Sequence, residues 1–137
     1  MNEPTIDSTA TAQLVVGVND LASALPLEPQ DAFPKVFATA RMVALMEIAS
    51  ARLLQPFLNL GELSVGVTVE TVHSAPTPEG AAVTAIARYI GRDGKLFVFD
   101  VTAADEGGEI GNARHKRAIL DAERLQSRAF RRVGTGE

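Results

Sequence analysis

An α+β fold, one long helix covered by an antiparallel sheet, follows from three features of this 137-residue chain. Phe37 to Leu58 is rich in strong helix formers and apolar over more than half of its circumference. From Ser64 onward the chain reads as β-branched strands separated by turn signals. A short Val-rich strand, Gln13 to Val18, stands ahead of the helix. A helix this apolar needs cover on more than one side: a curved sheet supplies one, a second subunit the other. A homodimer is expected.

The elements follow in order. Residues 1–10 are expected to be disordered, 11–130 to form one domain and 131–137 a flexible tail. Asn19 to Lys35, punctuated by Pro26, Pro29 and Pro34, is too broken for a long regular element. The helix starts near Thr39, which caps it or points into a site, and Pro56 with Asn59-Leu60-Gly61 ends it. Strands are expected at Ser64–Ser74, Ala81–Gly91, Leu96–Ala104 and Ile110–Leu120, joined as a meander. Arg92-Asp93-Gly94-Lys95 is a hairpin signal, because Asp-Gly readily adopts positive φ. Asp121 to Phe130 reads as a last short helix.

Apolar residues at 46% and charged residues at 22% describe an ordinary globular domain with room for a core. A net charge of −4 gives no reason to expect a nucleic acid partner. Arg124, Arg128, Arg131 and Arg132 form the one basic cluster, read as a solvated tail rather than a phosphate-binding patch. The chain has no cysteine, which removes disulfides, thiolate catalysis and zinc–cysteine sites together. Met1 to Thr11 is polar and acidic, unlike a secretory leader, and charges interrupt the longest apolar stretch too often for a membrane span. A cytoplasmic protein without metal or cofactor is expected.

Glu47 is the residue that first suggests chemistry. At about 100° per residue, Met42, Leu45, Met46, Ala49 and Leu53 cluster within roughly 60° of one meridian. Arg41, Arg52 and Gln55 form the polar stripe, with Ile48 among them. Glu47 falls away from that stripe, between Val43, Leu54 and Leu58. An ionised carboxylate there is costly unless something compensates it. It either pairs with an arginine, reaches water, or acts on a substrate.

His73 and His115 are the only histidines, so the search for a general base is short. Val67, Val69, Thr71 and His73 share a strand face, and the Ser74–Gly80 loop puts His73 at a sheet rim. It is a strand-end cap or a catalytic base. His115, inside Asn112-Ala113-Arg114-His115-Lys116-Arg117, reads as part of a solvated face. Gly66, lacking a side chain, permits close approach of backbone to ligand or marks a bulge.

Phe33-Pro34-Lys35-Val36-Phe37-Ala38-Thr39, Leu45-Met46-Glu47 and Val72-His73 together resemble the fluoroacetyl-CoA thioesterase family of hot-dog proteins. Glu109-Ile110-Gly111 with His115, Arg117 and Ala118 looks like the same family's last strand. The resemblance spans about Phe33 to Leu120 and implies a hot-dog fold that pairs into a dimer. It implies catalytic roles for Thr39, Glu47 and His73, a glycine near the thioester at Gly66, a lid residue at Phe33 and a CoA contact at Arg117. Asn19 to Ala32 holds no aromatic residue, whereas the fluoroacetate specialist's lid is aromatic-rich.

The function expected is hydrolysis of a small acyl-CoA thioester to free acid and CoA. Glu47 attacks the carbonyl or activates water, His73 shuttles the proton, and Thr39 polarises the thioester or is itself the nucleophile. A backbone N–H at Gly66 suits the oxyanion. The alternative is a non-catalytic acyl-CoA-binding dimer, and a hydratase is weaker still for want of its Asp/His pairing.

Overall fold

The computed structural model describes residues 3–134. Five strands, β1 (Thr9–Val15), β2 (Glu62–His73), β3 (Ala82–Asp93), β4 (Leu96–Asp105) and β5 (Gly108–Asp121), form one sheet. Every pairing is antiparallel, in the order β1-β3-β4-β5-β2. The sheet curls around helix α1 (Thr39–Leu54), and a second helix, α2 (Ala122–Val133), follows β5.

The helix α1 occupies the concave face because its apolar meridian matches what the sheet presents. Met42, Leu45, Met46, Ala49, Leu53 and Leu54 are buried against Val83, Tyr89, Phe99 and Val101 of β3 and β4. Burying each large side chain contributes roughly 1.5–3 kcal/mol, so this helix–sheet contact dominates the fold's stability. The polar stripe faces outward as expected, with Ile48 exposed in it. Arg52 reaches from it to the Thr11 carbonyl on β1. Ala38 is the N-cap residue in extended conformation, without a side-chain capping bond. Thr39 is therefore the first helical residue, its hydroxyl free for another use.

Three expectations need correction. The strands do not form a four-strand meander: β3, β4 and β5 do, but β2 lies at the far edge beside β5. The segment 74–81 is too long and too Pro-rich for a hairpin. Its Thr77 is buried, accepting from the Phe37 N–H and donating to Asp105, which carries the chain across the end of the sheet. Residues 3–10 are not disordered: β1 starts at Thr9, Asp7 bonds the Tyr89 carbonyl, and Glu3 accepts from the Tyr89 hydroxyl. Tyr89 is fully buried and its hydroxyl needs that acceptor. Residues 131–133 continue α2, stopped by Gly134 at φ 73°; 135–137 and Met1-Asn2 lie outside the described residues.

The other boundaries follow local chemistry. Gly94 takes φ 61° in the β3–β4 hairpin, and Pro56 sits in the short 3-10 turn after α1. In β2 the pairing with β5 slips between Gly66 and Thr68, so Val67 is an extra residue. Gly66 thus marks a bulge.

Candidate active site

Two polar clusters lie along the β2–β5 ribbon. At one end the Thr39 hydroxyl is 2.7 Å from His73 Nδ1. With the proton on Nε2, His73 accepts from the hydroxyl, the geometry a base needs to activate it. His73 Nε2 is shielded and has no partner among the described residues. Both side chains line a cavity of about 360 Å³ bounded also by Val36, Phe37 and Ala75. Thr39 arrives on the first turn of α1 and His73 on the last residue of β2. Phe33, half exposed, stands in the segment just before the cavity's Pro34.

The second cluster centres on Glu47. Its Oε2 accepts from Arg117 Nη1 at 3.1 Å, while its Oε1 has no protein partner among the described residues. Pairing with an arginine was one of the readings open for this carboxylate, and Arg117 of the same chain is that partner. The guanidinium is held on every side. Its Nε donates to Ser64 Oγ at 2.9 Å and its Nη2 to the Ser64 carbonyl at 3.0 Å. Nη1 also lies 3.1 Å from His115 Nε2, whose ring bonds the Thr68 carbonyl through Nδ1 at 2.8 Å.

These contacts fix the protonation of the cluster. Burial pulls the His115 imidazole below its ordinary value, so the ring is neutral, donating from Nδ1 and accepting at Nε2. Burial also lowers Arg117, opposed by the Glu47 charge, and a guanidinium stays charged regardless. Gly66 closes the site. A Cβ there would collide with the Glu47 carboxylate and crowd His115.

His115 is fully buried and not on a solvated face, and Arg117 is 6% exposed. The period of two explains why. Ala113, His115 and Arg117 point inward, while Arg114 and Lys116 point outward and pair with Asp100 and Asp93. Ala113 was the signal: an apolar residue fixes the face, and the two charged residues in step with it follow it inward. Arg117 therefore meets Glu47 rather than open solvent. Ser64 and Thr68, which complete the network, carry no such signal in the sequence.

Within one chain the two clusters stay apart. Thr39 and Glu47 are separated by eight residues of α1, roughly 12 Å of rise. His73 and Gly66 are separated by seven residues of β2, roughly 23 Å along the strand.

A long helix wrapped by an antiparallel sheet, with a Thr–His pair at one end and a carboxylate mid-helix, defines the hot-dog thioesterase class. The sequence matches the fluoroacetyl-CoA-specific thioesterases over residues 16–123, and the chain belongs to that family. It is 38% identical over 112 residues, 81% of each chain, to a fluoroacetyl-CoA thioesterase of Streptantibioticus cattleyicolor. A solved fluoroacetyl-CoA thioesterase superposes with a TM-score of 0.87 at 34% identity, covering 93% of this chain and 96% of the other. A variant of that enzyme solved with fluoroacetate and CoA superposes at 0.82, with 35% identity over 88% and 98% of the two chains.

Proposed function

We propose that this protein is a cytoplasmic homodimer that hydrolyses short acyl-CoA thioesters at sites shared between its two subunits. The Thr39–His73 hydrogen bond beside a small cavity is the observation that carries this reading. A hydroxyl poised against an imidazole is an acid–base device. The solved relative bound to fluoroacetate and CoA supports a CoA thioester as the substrate class.

The exposed edge of β2 supports the dimer. Leu63, Val67 and Val72 are each more than half exposed on a strand with one unpaired edge. Isologous antiparallel pairing of this edge with the partner subunit's β2 runs the His73 end of one strand toward the Gly66 end of the other. Thr39 and His73 of one subunit then stand beside the partner's Glu47. The separation within one chain becomes proximity across the interface.

Chemistry follows from that arrangement. Glu47, held by Arg117 through Oε2, turns Oε1 toward the thioester carbonyl, to attack it or to take a proton from water. Gly66 leaves room for the Glu47 carboxylate against the strand backbone, and Thr39 orients the thioester. His73 passes its Nε2 proton to the departing thiolate as its Nδ1 draws in the Thr39 proton, and the water that adds to the acyl carbon, or later cleaves the Glu47 anhydride, returns a proton to Thr39. Arg117 holds the carboxylate and does not reach for a phosphate.

Thiol release from acyl-CoAs of increasing chain length tests the reading. Turnover of two- to four-carbon acyl groups with a sharp fall beyond them is expected. Tight acyl-CoA binding without any thiol release would favour the non-catalytic reading instead. Including fluoroacetyl-CoA in the series determines whether the aromatic-free segment 19–32 has surrendered selectivity for fluorine.

A further inference from the structure

The four arginines near the C-terminus are not a solvated tail. They lie on α2, and a helical wheel places Arg124, Arg128, Arg131 and Arg132 within about 100° of one another. Among the described residues none of the four guanidinium groups has a side-chain hydrogen-bond or ion-pair partner. This contrasts with Arg88, Arg114 and Lys116, which all pair with acids. Arg124, Arg128 and Arg131 face a groove of about 630 Å³ whose floor includes Glu62 and Ile119. The same two floor residues border an adjoining hollow of about 430 Å³, flanked by Lys95 of the β3–β4 hairpin. Two acids also line the groove, Asp121 capping α2 through the Arg124 N–H and Glu62 accepting from the Asn59 N–H; against these two carboxylates the three arginines leave the groove with a positive excess. In a chain of net charge −4, this concentration of unpaired positive charge selects an anion.

We propose that this groove binds the diphosphate and 3′-phosphate of the CoA thioester, with Arg124, Arg128 and Arg131 as the phosphate-contacting residues. The inference rests on the thioesterase reading and is carried by position as well as charge. Ile119 and Asp121 lie roughly 7 and 13 Å along β5 from Arg117, the residue that holds Glu47. A pantetheine arm has about a dozen single bonds between sulfur and the first phosphorus and extends roughly 15 Å. An acyl group beside Glu47 therefore delivers its phosphates to α2 without bending the arm back. Guanidinium groups in a row suit this task, since each presents a fork of N–H donors to phosphate oxygens.

The test replaces Arg128 and Arg131 together by Glu and compares a short acyl-CoA with the N-acetylcysteamine thioester of the same acyl group. KM for the CoA thioester should rise on the order of tenfold or more relative to that for the short thioester. The dephospho-CoA thioester should fall between the two. CoA alone, titrated calorimetrically, should lose affinity in the variant, and in the unaltered protein that affinity should fall with added salt. Equal effects on both thioesters, with thermal unfolding unchanged, would overturn the proposal, as would an unchanged KM for acyl-CoA. Failure of the unaltered protein to release thiol from any substrate would sink the thioesterase reading, while CoA titration would still decide the phosphate site.

Discussion

Gly66 carries a constraint out of proportion to its size. Its conformation is ordinary for a strand, so a larger residue is excluded by what lies opposite, the Glu47 carboxylate. That carboxylate ends a flexible, partly exposed side chain and can move, but the oxygen in the way is the one that accepts from the buried Arg117, so moving it loosens that ion pair. Gly66→Ala should therefore fold with a lowered melting temperature, because the Glu47–Arg117 pair is loosened, while kcat falls on the order of 10²-fold or more. Thermal unfolding and thiol release on one purified variant check both halves. An unchanged melting temperature with full turnover would mean that the close approach of Gly66 to Glu47 constrains neither the ion pair nor the chemistry. At this scale the sequence was informative in part: Glu47 stood out for being in the wrong place on its helix, but its partner did not. Arg117 sits among four charged or polar neighbours, and only the inward step of β5 distinguishes it from Arg114.

The β2–β5 ribbon is where a pH dependence belongs. His115 lies between the Thr68 carbonyl and Arg117 and ties the bulge of β2 to β5. Burial holds its pKa below the unfolded value of about 6.5. As pH falls past that value the unfolded chain takes up a proton that the folded ring refuses, so stability declines toward acid and is fully present above it. Urea midpoints should accordingly drop between pH 7.5 and pH 5, and His115→Gln should flatten that slope. An identical slope in the variant would leave the acid sensitivity to carboxylates alone. Helix α1 and the β3–β4 turn were legible because a 3.6-residue period and an Asp-Gly pair are local signals. The place of β2 was not. Alternation specifies which side of a strand is apolar but not which strand lies beside it, and the buried Thr77 that turns the chain away reads as an ordinary loop residue.

Taken as a whole, the molecule exposes the apolar edge of β2 and keeps its two polar clusters far apart, and the proposed two-fold pairing would account for both. The consequence is specific to shared sites. His73→Ala and Glu47→Gln proteins should each be nearly inactive, yet unfolding and refolding them together should restore activity. In a mixed dimer one site carries both lesions, and the other combines an intact Thr39–His73 pair with an intact Glu47 from the partner. Random reassociation of equal amounts makes half the dimers mixed, each with one working site, so about a quarter of full activity should return. Recovery should follow the mixing ratio and peak at equal proportions. No recovery, with exchange verified by differently tagged subunits, would place Thr39, His73 and Glu47 in the same chain's site and require the two clusters to come together along α1 and β2, where they stand apart here. Salt is a further discriminant: pairing through apolar Val67 and Val72 should tolerate high ionic strength, so the recovered quarter should persist in concentrated sodium chloride.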